Sequence, residues 1–351
     1  MRVLLQTTMR NLTVLTIFLL TTSIAWGQWR TNQRSHTLSV LPKNSTYRLC
    51  SDFWDLSRFK SFLKPILVPR IVGTPQHRQV GDFLQKTMQD MGWHTEWDEF
   101  TDNTPYGVKP FRSLIATYNP QAARRLVLAC HYDSKILPGQ TFLAATDSAV
   151  PCAMMLDVAK TLTPYMYRQV AQDVSLQLLF LDGEEAFVEW TATDSIYGAR
   201  HLASKLENKW YPTSSSASNF ELSREIDRID VFMLLDLLGA PNPRIQNANG
   251  LGATQLFAEL PNIESEIRQM NCVSQRIPQV FSGNVVYQAV EDDHIPFRNR
   301  GVPILHLIAA PFPSVWHQPT DNENAIHYPT IKLLTSVVRI FAAKYLGIAP
   351  L

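Results

Sequence analysis

The strongest constraint on how this chain folds is a set of short apolar runs that recur along it. Ser113–Tyr118, Leu126–Cys130, Val174–Leu181, Val231–Leu238 and Val302–Ile308 are rich in Leu, Val, Ile and Phe. Continuous apolar runs of this length fit strands buried on both faces, as in a parallel sheet covered by helices. Helical spacing appears between them. Val80, Phe83, Leu84, Met88 and Met91 precede Gly92 as a C-terminal cap, and Cys152–Leu162, Ser195–Leu206, Thr254–Met270 and Thr330–Leu346 follow. Trp93, Thr95 and Trp97 alternate with polar residues, as in an edge strand. The pattern predicts an α/β three-layer sandwich: a central mixed, mostly parallel sheet flanked by helices.

With 351 residues, 45% of them hydrophobic, there is ample material for one large core. The 32 basic and 31 acidic residues nearly cancel, which argues against a nucleic-acid or anionic-membrane surface as partner. Arg2 and Arg10 precede a charge-free stretch, Leu12–Trp26, and a small-residue exit at Gly27. This reads as a signal peptide over residues 1–27, too short for a comfortable membrane span, with a polar leader over 28–50 and one catalytic domain over 51–351. The expected destination is secretion, the alternative a Golgi-lumenal protein held by an uncleaved segment. Asn44-Ser45-Thr46 is a glycosylation acceptor that only the secretory pathway would use. Four cysteines, Cys50, Cys130, Cys152 and Cys272, are too few for a disulfide-built scaffold. Cys130 and Cys152 flank the candidate site, either as a bridge or as two buried thiols. No heptad or repeat suggests assembly, so a monomer is expected.

What stands at the end of each run is more informative. Leu126–Cys130 runs into His131-Tyr132-Asp133, Val174–Leu181 into Asp182-Gly183-Glu184-Glu185, Val231–Leu235 into Asp236, and Val302–Leu305 into His306. Ligands of open α/β sheets bind at the carboxyl ends of strands. A lone acid there is more often a cap or a solvated group; several converging on one crevice are a site. Asp, Glu and His without cysteine suit a catalytic Zn²⁺ with three protein ligands and one open position. Adjacent Glu184 and Glu185 point opposite ways in extended chain, so one can face a metal and the other a substrate. Asp147 arrives on a small-residue loop before a helix, and Pro311–His317 is a proline-stiffened loop carrying Trp316 and His317.

Long ordered motifs, among them Cys130–Lys135, Ala145–Ala153, Leu181–Phe187, Asp194–Gly198, Leu234–Ala240, Glu291–Phe297, Val302–Ile308 and Phe312–His317, resemble those of animal glutaminyl-peptide cyclotransferases (glutaminyl cyclases). These lie within the wider zinc aminopeptidase-like fold group. The resemblance implies one Zn²⁺ per chain held by Asp147, Glu185 and His317. It also implies Glu184 as general acid/base and Asp236 as its hydrogen-bonding partner. Trp190, Phe312 and Trp316 would wall the substrate pocket, with Asp292 and His306 as supporting polar residues, and Cys130 and Cys152 would be disulfide-linked. The implied substrates are peptides and proteins with N-terminal glutamine, glutamate being a second candidate.

A two-zinc aminopeptidase would instead use His131, Asp147, Glu185, Asp236 and His317. A binding ectodomain that had lost catalysis should have broken this residue set, which is intact here. His36, His77, His94, His201 and His327 read as ordinary core or surface histidines. Asp133, Asp182, Asp293 and His294 read either as groups that brace the metal ligands from behind or as simple strand-end polar residues, and Asp321 as a turn residue.

Overall fold

The structure, a computed structural model, describes residues 29–211, 223–287 and 289–350. The expected signal segment therefore lies outside the described residues. Six strands form the main sheet: β1 (His94–Thr104), β2 (Gly107–Thr117), β3 (Arg124–His131), β4 (Val174–Leu181), β5 (Ile229–Asp236) and β6 (Ile304–Ile308). Their order is β1-β2-β4-β3-β5-β6. β1 and β2 form an antiparallel hairpin, and β2 meets β4 antiparallel. From β4 onward every pairing is parallel. The mixed sheet is the one the apolar runs predict, with the amphipathic stretch after Met91 as its edge.

Because side chains alternate across a strand, each buried strand feeds two cores. Leu126, Leu128, Leu176, Leu178, Val231, Met233, Leu305 and Leu307 face one side. There they meet the buried faces of α1 (Leu56–Ile66), α2 (Pro75–Asp90), α3 (Val150–Leu162) and, later in the chain, the long helix Tyr328–Leu346. Val127, Ala129, Leu179, Leu181, Phe232, Leu234 and Ile304 face the other side, against α4 (Tyr197–Asn208) and the short helix Ile295–Arg298. A fully buried Leu or Phe contributes roughly 1.5–3 kcal/mol, so these two layers carry the stability. The predicted helix over Thr254–Met270 breaks at Ala258, with α5 (Glu259–Gln269) as its main part.

Residues 29–50 are held from Trp29 onward rather than trailing as a loose leader. Asn32 donates to Asp173 at 2.8 Å and Gln33 to Asp230 at 2.8 Å, while His36 stacks on Tyr345. Cys50 forms a disulfide with Cys272, tying this end to the chain after α5 across 222 residues of sequence. The Cys130–Cys152 bridge implied by the resemblance is not formed, and both are buried free thiols. The Cys152 thiol donates to the His131 carbonyl at 3.2 Å, and burial pushes the Cys130 thiol well up, with Cys152 adding to the shift. Two thiols buried out of solvent are poorly placed for oxidation.

One buried cation organises the loops above the sheet. Arg70, wholly buried, donates through Nε to the Tyr132 carbonyl (2.8 Å), and through Nη1 to those of Ile66 (3.0 Å), Val68 (3.0 Å) and Leu143 (2.7 Å). Its Nη2 reaches the Ala144 carbonyl at 3.1 Å. Arg70→Met should lower stability by about 3 kcal/mol or more, because it strands these acceptors in the interior. The urea midpoint measures this, and a loss below about 1 kcal/mol would show that the carbonyls find water instead.

Candidate active site

The parallel strands all end at one edge, where His131 pairs in register with Leu181 and Asp236 with Ile308. Beyond β4 the chain turns through Gly183 at φ +69°, where a Cβ would lie 2.4 Å from Cε1 of Phe111. That turn delivers Glu184 and Glu185. Asp133 fixes them: its Oδ1 accepts from the Glu184 amide at 3.1 Å and its Oδ2 from the Glu185 amide at 3.2 Å. Asp147 sits just before α3, with its peptide bond to Ser148 cis, and the loop leading into it is braced by Asp321, which accepts from the Thr146 amide at 2.9 Å. His317 stands at φ +52°, a left-handed conformation that costs a non-glycine residue on the order of 1–3 kcal/mol and is most often found at functional sites.

These loops bring Asp147, Glu185 and His317 together, one donor atom of each lying within 4.8 Å of the others. His317 Nε2 is 3.4 Å from Asp147 Oδ2 and 3.4 Å from Glu185 Oε1. Both of those oxygens are buried without a hydrogen-bond partner. Two orphaned carboxylate oxygens facing one imidazole nitrogen are a donor set that fits a small divalent cation. The electrostatics agree. Burial and the Glu185 charge push Asp147 up to about 7. Burial alone would lower His317, but Glu185 and Asp147 reverse this and raise it. Protons thus gather where a cation would relieve the repulsion.

Glu184 lines a cavity of about 550 Å³ together with the Asp147, Glu185 and His317 group, Asp236, Trp190 and Trp316. Burial, reinforced by Glu185, Asp292 and Asp236, holds its carboxyl well above the usual range, against the pull of His131. Trp190 donates to Glu291 at 2.9 Å across the mouth, and Phe312 packs edge-on to Trp316 with centroids 4.9 Å apart. Asp292 and His306 lie deeper, joined at 2.7 Å. Asp236 bonds to the Ser148 hydroxyl and lies 3.4 Å from His131 Nε2. Among the described residues no hydrogen bond joins it to Glu184, so the expected pairing is an electrostatic neighbourhood; a bond between two carboxylates would need a proton on one of them. Asn44 is exposed at the far N-terminal end, on the short helix Lys43–Tyr47.

Three further residues support the site: Asp133, by the first of its two readings, Asp321, expected only as a turn residue, and Lys135. Asp133 and Asp321 hold backbone amides, and Lys135 lies 3.3 Å from Glu185 Oε2. His77 and His201, read as unpaired, contact Asp182 and Asp98 at 2.8 Å each. His131 Nε2 approaches Asp147 at 3.1 Å, so a second triad, His131, Asp147 and Asp236, shares Asp147 with the first.

Comparison with known proteins gives a consistent result. Residues 113–342 match the model of peptidase family M28. The chain is 42% identical over 307 residues to the glutaminyl-peptide cyclotransferase of Drosophila melanogaster, covering 84% of this chain and 82% of that one. It is 42% identical over 323 residues to a glutaminyl-peptide cyclotransferase-like protein of Bos taurus, covering 90% and 82%. The crystal structure of Macrostomum lignano glutaminyl cyclase superposes with a TM-score of 0.82 at 36% identity, over 90% of this chain and 97% of that one.

Gly183→Ala should cost about 2–4 kcal/mol in urea unfolding, combining positive-φ strain with overpacking against Phe111. Phe111→Leu in the same chain should return part of that loss. Additive costs in the double mutant would show that the ring is not what excludes a side chain there.

Proposed function

The chain belongs to peptidase family M28, among the glutaminyl-peptide cyclotransferases, and from that premise we propose how its residues divide the work. The enzyme is an acyltransferase that converts the N-terminal glutamine of peptides and proteins to pyroglutamate with release of ammonia. Both the nucleophile, the α-amine, and the electrophile, the γ-carboxamide carbon, belong to the substrate. The cavity lining accords with this, since it holds no serine, threonine or cysteine.

Asp147, Glu185 and His317 would hold one Zn²⁺ per chain, on the strength of their orphaned oxygens and mutual distances. The chemistry such an ion supplies when bound is Lewis-acid polarisation of a carbonyl oxygen. Glu184 takes a proton from the attacking amine through its side-chain carboxylate and returns it to the departing ammonia. The observation that carries this assignment is the difference within the adjacent pair: both glutamates line the cavity, but only Glu185 has an oxygen within 4.8 Å of donor atoms of Asp147 and His317, which leaves Glu184 free to meet the substrate. Asp236 adds negative charge near Glu184 and favours its protonated form at the second step. Trp190, Phe312 and Trp316 orient the glutamine side chain and keep bulk water from competing with the amine. Asp292 and His306 support the inner wall.

The triad His131, Asp147 and Asp236 favours a second reading, a two-zinc aminopeptidase, and metal content separates the two. The cyclotransferase should be isolated with one zinc, the peptidase with two.

We place the protein in the secretory pathway, with residues 1–27 as signal peptide and Asn44 as glycosylation acceptor. The Cys50–Cys272 disulfide accords with an oxidising compartment. No described helix is long and apolar enough to cross a membrane.

Glu184→Gln should keep its zinc and lose about 10²–10⁴-fold in kcat on a glutaminyl dipeptide, read as ammonia release with parallel elemental analysis. A variant that turns over near the parent rate would remove Glu184 from its role. Glu291→Ala, which frees Trp190, should raise KM by about 5–10-fold with kcat little changed, the loss of one hydrogen bond to an exposed carboxylate. Glu291→Gln keeps an acceptor oxygen and should largely restore KM; if both variants match the parent, the Trp190–Glu291 contact plays no part in binding.

A further inference from the structure

Behind the cavity wall formed by residues 289–291 lies a second, smaller cavity of about 190 Å³, bordered by Glu291, His294, Arg298 and His306. Three donors converge beside it. Asp292 precedes α6 (Ile295–Arg298), His294 stands at the N-terminal cap of that helix, and His306 projects from β6. One donor atom from each lies within 4.8 Å of the other two. All three are buried, with relative exposures of 2%, 1% and 5%. The two imidazole rings are tilted against each other with centroids 4.4 Å apart. Nδ1 of His294 has no hydrogen-bond partner, an expensive state for a buried ring nitrogen. Asp293 next to it has neither carboxylate oxygen partnered.

We propose that Asp292, His294 and His306 form a second cation site, selective for zinc-like divalent transition metals and filled only when free metal exceeds what Asp147, Glu185 and His317 take up. Two imidazoles and one carboxylate with an open fourth position are a donor set for Zn²⁺. Calcium and magnesium, which want oxygen ligands, are excluded by the same chemistry. Binding is a proton exchange. The proton shared between Asp292 and His306 leaves to solvent as the ion takes both lone pairs, and the His294 lone pair adds the third bond. The site is the weaker of the two because the 2.7 Å Asp292–His306 contact must open to roughly 3.3 Å, the separation of neighbouring ligands around a tetrahedral zinc with bonds near 2.0 Å. The inference stands apart from the reaction assigned above, because it concerns which atoms bind metal and not what the enzyme turns over.

The test is equilibrium dialysis of the full-length zinc-loaded enzyme against rising free Zn²⁺, with bound metal counted by elemental analysis. About one further equivalent per chain is expected, lost in His294→Leu and in His294→Gln while the first equivalent remains. Zinc-edge X-ray absorption on the unmutated protein supplies a readout that needs no variant. The added equivalent should show two imidazole ligands, whereas an ion held by His131, Asp147 and Asp236 would show one. Either no second equivalent by about 1 mM free Zn²⁺, a range well above ordinary structural-zinc affinities, or a second equivalent that carries one imidazole and survives in the His294 variants, overturns the proposal.

Discussion

Negative charge crowded into a place that screens it poorly is the constraint on which the rest of the site depends. Asp147, Glu184, Glu185, Asp236 and Asp292 are all buried at one edge of the sheet. Two like charges 4 Å apart repel by about 4 kcal/mol even at an effective dielectric constant of 20, comparable to a sizeable part of a domain's whole stability. The fold answers with fixed polar partners. Lys135 lies against Glu185, His131 between Asp147 and Asp236, and His306 against Asp292. What they leave over is the pair of unpartnered oxygens on Asp147 and Glu185, and that residue of uncompensated charge is what makes the position a cation site rather than a salt-bridge cluster.

Holding such groups in place requires a scaffold that does not yield to their repulsion. The parallel strands place the carriers but do not fix the loops, and the fixing is done by polar side chains that grip backbone. Asp133 accepts from two successive amides and so fixes the backbone that carries Glu184 and Glu185. Asp321 does the same for the loop before Asp147, and Arg70 gathers carbonyls from both sides of that loop. A buried charge saturated by hydrogen bonds from or to backbone is stiff, since any displacement breaks several bonds at once. Stiffness here is chemically useful, because the division of labour between two adjacent glutamates is lost if their backbone can rotate.

The same distinction explains what could be read from the sequence. The strands were legible because burial on both faces leaves an uninterrupted apolar run, and the positions where those runs stop named His131, Asp182, Asp236 and His306. Glu184 and Glu185 were legible as a pair because neighbours in extended chain face apart. Asp321 and Arg70 were not, and Asp133 only as one of two readings, because their partners are peptide groups, which every residue carries and no residue type advertises. Cysteine connectivity failed for a related reason. Proximity to the site favoured joining Cys130 to Cys152, whereas the bond that forms joins Cys50 to Cys272, which only the packing of the N-terminal segment against the chain after α5 brings together. Asp236 was expected to hydrogen-bond Glu184, but its hydrogen bond goes to Ser148, a residue too bland in sequence to compete with a glutamate as expected partner.

On the proposed reading, a cavity whose described lining has acids and aromatics but no serine, threonine or cysteine suits an enzyme whose substrate supplies its own nucleophile. Ring closure needs the α-amine unprotonated and held against the γ-carbon, and it needs water kept away, since water at the same carbon would yield glutamate instead. A rigid wall of Trp190, Phe312 and Trp316 meets both needs by shape, at small entropic cost because each aromatic has few torsions to freeze. The Trp190–Glu291 hydrogen bond extends that economy to the rim, where a free indole would otherwise swing. Trp316 remains 40% exposed, so the pocket opens to solvent on the side where the rest of a peptide must leave.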